Sequence, residues 1–171
     1  MALHIRPFVE TDSIEDLTDL IHSAYAELGA MGLQYWGTHQ KPKDTLERIS
    51  KGIGLVAEID GAIVGTLALH PPEADSEVAV YRDQHTNKLT QFAVDPAKRG
   101  VGIGRALHSH AVEIARGKGA TRVALDTAEG ATHLIAMYSA WGYQHVGYCD
   151  YRPFTNYRSV VMVLTLGAAQ S

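Results

Sequence analysis

No stretch limits what this chain can fold into more than Leu89–Gly117, which reads LTQFAVDPAKRGVGIGRALHSHAVEIARG. An apolar run, Leu89–Val94, gives way to Asp95-Pro96, then to a basic, glycine-dense turn. Ile103, Leu107, Ala111 and Ile114 follow at helical spacing, so the pattern predicts strand, turn and amphipathic helix. Gly100, Gly102 and Gly104 fall where strand passes into helix. There the first backbone N–H groups have no intrahelical acceptor and the helix dipole is positive. Glycine lets the main chain turn tightly and approach a ligand closely. With Lys98, Arg99 and Arg105 around it, this turn is a cradle for phosphate. It is neither a P-loop, which needs a closing Gly-Lys-Ser/Thr, nor the dinucleotide pattern GxGxxG, because Arg105 stands where the third glycine belongs.

The rest of the chain supplies a mixed sheet. Leu3–Arg6 reads as a strand, and Thr11 or Asp12 as the cap of a helix carrying Ile14, Leu17, Leu20, Ile21, Ala24 and Leu28. Gly29 and Gly32 end that helix, and a short one follows Pro42. Asp60-Gly61 between two β-rich runs, 54–59 and 62–69, predicts a hairpin with a type I′ turn. Residues 73–87 are polar and irregular, with one turn of strand at Val78–Tyr81. Arg122–Thr127 reads as a buried strand and 131–141 as a helix. Gln144–Tyr151 and Ser159–Leu166 read as the last two strands, and the tail after Gly167 as frayed. Alternation of strand and helix in the second half implies a parallel pair, and the hairpins imply antiparallel ones. The expected architecture is α/β: one central mixed sheet of about seven strands flanked on both faces by about four helices, in a single domain spanning 1–171.

Charge and composition remove several classes of function. A net charge of −4 without a dominant basic face argues against nucleic-acid binding. The single cysteine, Cys149, excludes an internal disulfide and fits a reducing compartment. The N-terminal MALHIRPF lacks a signal pattern and no stretch approaches 18 apolar residues, so a cytoplasmic protein away from the membrane is expected. The nine histidines are scattered, with no HExxH and no Cys/His cluster, so no metal is expected.

The run Val94-Asp95-Pro96, basic residues, then Arg99-x-x-Gly102-x-Gly104 resembles the acyl-CoA pyrophosphate loop of the GCN5-related N-acetyltransferase (GNAT) superfamily. The resemblance extends from the first strand to Leu166 and is sharpest over 89–143. It implies an N-acetyltransferase that uses acetyl-CoA as co-substrate. Phe92, Ala93 and Val94 would meet the pantetheine and acetyl group, as an added strand would. Arg99, Gly100, Val101, Gly102, Ile103, Gly104 and Arg105 would take the pyrophosphate. Met137-Tyr138-x-x-x-Gly142-Tyr143 is similar to the family's Leu-Tyr-x-x-x-Gly-Phe, which makes Tyr138 the group that protonates the departing thiolate. Asp126 stands where one branch, the bacterial ribosomal-protein N-terminal acetyltransferases, has a glutamate base. Being a methylene shorter, it would act through a water. Glu77 and His85 are weaker candidates. Ala131 departs from the family's asparagine, which contacts pantetheine.

For the acceptor, the adjacent aromatics Tyr35 and Trp36 either line a pocket or cap the core. Tyr151, Asn156 and Tyr157 belong to a second aromatic segment that flanks the acetyl end in this fold. The implied activity is acetyl transfer to a primary amine of a small molecule by direct attack, because no Cys–His pair offers an acyl-enzyme. Two alternatives stand beside it: a protein or peptide N-acetyltransferase, and a non-catalytic CoA-binding sensor. A homodimer through the final strands is expected by analogy alone.

Overall fold

The computed structural model describes residues 2–167, so the expectation of a frayed tail after Gly167 lies outside the described residues. Seven strands form one sheet: β1 (Leu3–Pro7), β2 (Ile53–Ile59), β3 (Ala62–His70), β4 (Thr86–Val94), β5 (Arg122–Ala128), β6 (Gln144–Asp150) and β7 (Arg158–Thr165), in the order β1-β2-β3-β4-β5-β7-β6. Only β4 and β5 run parallel. Five helices accompany it: α1 (Ile14–Ala30), α2 (Pro42–Ser50), α3 (Ala79–Arg82), α4 (Ile103–Gly117) and α5 (Thr132–Ala140). This is the expected mixed sheet, with one helix more than about four.

Strand alternation sorts the core into two layers. Leu55, Ala57, Leu67 and Leu69 face one side, where Ile103, Leu107, Ala111 and Ala115 of α4 and Tyr138 of α5 pack. Val56 and Ala93 face the other, against Leu17, Ile21 and Ala24 of α1 and Ile49 of α2. Asp60 and Gly61 have φ of 51° and 80°, the pair of positive values that a type I′ turn requires.

Three local expectations are corrected. The cap of α1 is Ser13, whose hydroxyl accepts from the Asp16 amide at 3.1 Å. Asp12 is occupied instead by Arg6, which donates to both of its carboxylate oxygens at 2.8 Å, and by the Val9 amide. Val78–Tyr81 forms no strand: Ala79–Arg82 is one helical turn, held by the fully buried Tyr81 ring. The strand expected from Leu89 starts at Thr86, because Thr86 and Asn87 are polar yet buried in the sheet. The Asn87 amide donates to the His70 carbonyl at 3.0 Å, which no hydropathy pattern reports.

Between α4 and α5 the core holds an imidazole. His108 is 3% exposed, bonds Tyr143 Oη through Nε2 at 2.7 Å and lies against Trp141. Burial, then Arg105, pulls its pKa down to about 4. The folded protein keeps this ring neutral, whereas the unfolded chain protonates it near pH 6.5. Between those values the unfolded state binds the extra proton, so stability is complete above about pH 6.5 and is lost as pH falls towards 4. Urea titrations at pH 7 and 4.5 should therefore show an acid loss to which His108 contributes on the order of 2 kcal/mol. A His108→Gln variant should show a shallower dependence on pH over the same range.

Candidate active site

The site begins where a pairing ends. β4 and β5 are in register at Thr86–Arg122, Asn87–Val123 and Lys88–Ala124, and no further. From Leu89 onward β4 keeps β3 on one side only, while β5 stays paired with β7 as far as Ala128. Gln91 marks the departure. Its φ is +52°, and β4 bulges there, Thr66 pairing with Ala93 but Ala68 with Thr90. A non-glycine residue in this conformation costs about 1–2 kcal/mol. The buried Gln91 side chain is fixed by Gln40, whose Nε2 donates to its Oε1 at 2.6 Å. Gln40, 1% exposed, also donates to Thr45 at 2.7 Å and accepts from Arg48 at 3.0 Å.

The cleft opens into a cavity of about 890 Å³ that reaches from the glycine turn to α2. At one end, Gly100 and Gly102 have φ of 83° and 88°, with nothing within 4 Å of where a Cβ would stand. Ala106 makes the first helical bond of α4, to the Gly102 carbonyl at 3.0 Å. Among the described residues, none of the amides from 100 to 105 donates to a protein acceptor. Arg105 lies over the Trp141 ring at 4.9 Å. Arg99 lines the wall, but its guanidinium is engaged by Glu27 at 2.7 Å and by the Ala24 carbonyl at 2.8 Å, which fastens the turn to α1.

Midway, the two faces contribute different groups. Tyr138 enters from the α4–α5 layer, and its hydroxyl has no hydrogen-bond partner among the described residues. Burial keeps its phenol well above the ordinary pKa of 10, so it holds its proton at neutral pH. Asp126 enters from the opposite face, on the side of β5 that carries Ala128 against Leu28 of α1. Its Oδ2 accepts from Tyr81 Oη at 2.5 Å and Tyr151 Oη at 3.0 Å. Burial and the adjacent Asp126 charge push both phenols up.

The structure gathers Phe92, Ala93, Val94, Arg99, Gly100, Gly102, Ile103, Gly104, Arg105, Asp126, Tyr138, Tyr35, Trp36, Tyr151 and Tyr157 around this cavity. Val101 is 71% exposed and does not line it. Asn156 does not line it either. It accepts from the Gln34 amide at 2.9 Å and donates to the Gly32 carbonyl at 2.7 Å, tying its segment to the loop after α1. Tyr35 resolves as a buried pin, its hydroxyl bonded to Thr127 Oγ1 at 2.6 Å and to the Ala128 amide at 2.9 Å. Glu77 lines a separate cavity and His85 lines neither. Tyr25, Arg48 and Tyr81 are site residues that sequence reasoning missed. Tyr25 and Arg48 look like ordinary helix positions in the sequence and Tyr81 like a strand position, and only tertiary packing brings them to the site.

The chain is similar to known proteins in sequence and in fold. A sequence model of the family described as "Acetyltransferase (GNAT) family" matches residues 14–143. The chain is similar to the S-(2-succino)cysteine N-acetyltransferase of Bacillus subtilis (strain 168), with 32% identity over 152 residues, covering 88% of this chain and 89% of that protein. In fold it is similar to a GNAT family acetyltransferase from Elizabethkingia anophelis with acetyl-CoA bound (TM-score 0.66, 15% identity, 96% of this chain and 98% of that one). It is likewise similar to the ribosomal-protein-S18-alanine N-acetyltransferase from Escherichia coli (TM-score 0.70, 16% identity, 99% and 97%).

Gln40 is the buried junction of this site. Gln40→Leu should strand the Gln91 carbonyl and the Arg48 guanidinium and cost about 3 kcal/mol, read as a lower urea midpoint at unchanged m-value.

Proposed function

Because the chain belongs to the GNAT acetyltransferase family, we propose that it transfers the acetyl group of acetyl-CoA to the primary amine of a small molecule by direct attack. One observation carries this reading: a run of unpaired amides, 100–105, at the mouth of a cleft whose β4 wall has lost its strand partner. Acetyl-CoA, when bound, supplies the activated thioester. The amides and the positive end of α4 suit its pyrophosphate, and the free edge of Leu89–Val94 suits the amides of its pantetheine arm. Ala131, at the start of α5, offers no side-chain amide of its own to that arm.

The chain's remaining residues divide the proton traffic. Asp126, held by two phenols, receives the proton that the amine must lose, through a water because its side chain is short. Tyr138, kept protonated by burial, gives its proton to the departing sulfur from the other face. The small-molecule reading is supported by the aromatic wall of the cavity. Tyr25, Tyr35 and Tyr157 pack ring to ring at 5.5 and 4.9 Å in that wall, a lining suited to the carbon frame of a small amine. The B. subtilis relative, named for a modified cysteine, supports the same side. Among the described residues no helix is long and apolar enough to cross a membrane, and no three His, Cys, Asp or Glu side chains gather as a metal site. A homodimer belongs to this reading through the free edge of β6, where Val146 and Tyr148 are exposed.

Tyr138→Phe should lower amine-dependent thiol release on the order of 10²-fold with CoA affinity intact by calorimetry. Undiminished release would remove Tyr138 from the mechanism, and a wild type that binds CoA yet releases no thiol with any amine would make the chain a sensor. Gly102→Ala should weaken CoA binding about tenfold, since a side chain in the left-handed region costs about 1–2 kcal/mol and tilts the amides away.

A further inference from the structure

Six arginines sit in ion pairs, Arg6, Arg99, Arg116, Arg122, Arg152 and Arg158, while Arg82 bonds the Ser76 carbonyl and Arg105 lies over the Trp141 ring. Arg48 is different again. Half-buried on the inward side of α2, it lines the cavity with no carboxylate within 4 Å among the described residues. One of its five N–H donors reaches Gln40 Oε1 at 3.0 Å. Gln40 is in turn locked by Thr45 and by Gln91 at the bulge, so the guanidinium is aimed by a buried, fully engaged residue. Burial depresses the Arg48 pKa, while Tyr25 and Asp126 raise it. A guanidinium withdrawn from water without an acid is expensive unless an anion completes it.

Among the described residues the cavity-lining acid without an ion pair is Asp126; Glu27 is held by Arg99, and Lys88, which also lines the cavity, is paired with Glu73 and lies over the Tyr81 ring. Asp126 is not in contact with Arg48 and is served by two neutral phenols rather than by a cation. A cation and an anion that face one small chamber without neutralising each other are complementary to a ligand bearing both charges, set the opposite way round. We propose that the acceptor is an amino acid: its carboxylate is held by Arg48, and its amino group is presented to Asp126 and the cleft between β4 and β5. A planar guanidinium takes a carboxylate through two parallel bonds, which fixes the direction of the amine as well as its affinity. Arg48 is on this account a specificity residue. The amine loses its proton towards Asp126, its nitrogen forms the amide bond, and the C–S bond of the thioester breaks with the proton from Tyr138 going to sulfur. The inference rests on the N-acetyltransferase reading and narrows it.

The test uses the full chain and a panel of α-amino acids, each assayed beside its methyl ester and its decarboxylated amine, with thiol release from acetyl-CoA as readout. Wild type should favour at least one acid over its ester and amine by about 10- to 100-fold in kcat/KM, the value of a charge-assisted pair. Arg48→Gln should collapse that ratio to near unity, Arg48→Lys should restore part of it, and KM for acetyl-CoA should move less than twofold in both. Esters and amines used as well as the acids would overturn the amino-acid proposal and leave the N-acetyltransferase reading standing. So would an Arg48→Gln variant that loses acid and ester activity in equal proportion, or one that loses acetyl-CoA affinity. Absence of thiol release with any member of the panel would end both, and release with added peptides alone would overturn the amino-acid proposal while leaving N-acetyl transfer standing. Should Arg48→Gln fail to fold, the wild-type ratio and the Arg48→Lys variant decide the matter.

Discussion

Everything in the site follows from a parallel strand pair that comes apart. β4 and β5 are joined over three residues and then diverge, leaving half the hydrogen-bonding edge of Leu89–Val94 unused in the middle of a sheet. Buried backbone groups are ordinarily paired, so a gap of this kind marks a place built for another molecule. The bulge at Gln91 helps to hold it open. Its positive φ is unfavourable, and the bond from Gln40 together with the pairing of β3 on the far side keeps it in place.

The gap also joins two environments that a closed sheet would keep apart. On the α4–α5 side the core is aromatic and neutral: Tyr138, Tyr143, Trp141 and the uncharged His108 pack together. On the α1–α2 side stand Arg48 and Asp126 among tyrosines. In the proposed mechanism the protonated phenol on one face and the carboxylate on the other are the two ends of the proton transfer. Burial sharpens the division, since it raises the phenols and keeps them protonated.

How much of this the sequence carries depends on the range of the interaction concerned. The glycine turn, the hairpin at Asp60-Gly61 and the order of elements are local patterns, and they read directly. Tyr138 was legible because it lies at a fixed distance from the Gly142-Tyr143 corner. Arg48 was not, because nothing near it in the chain distinguishes it from an exposed helix arginine. Only the packing of α2 on α1, through Ile49, Ile21 and Leu17, and the reach of Gln40 to β4 turn it inward. Tyr81 was hidden for the same reason, since its partner Asp126 is 45 residues away. The β-favouring letters around Tyr81 pointed to a strand where no neighbouring strand exists to pair with it.

Residues that look like ligand contacts in the sequence can instead be fasteners of the walls. Arg99 clamps the glycine turn to α1, Asn156 ties the segment before β7 to the loop after α1, and Tyr35 pins that loop to the end of β5. Each of these bonds crosses at least 72 residues of chain and closes one side of the cavity. These bonds commit part of the polar lining of the cavity to holding its own walls. Arg48 and Asp126 retain hydrogen-bonding capacity to offer: one bond to Gln40 leaves other Arg48 N–H donors free, and both phenols bond the same Asp126 oxygen, Oδ2.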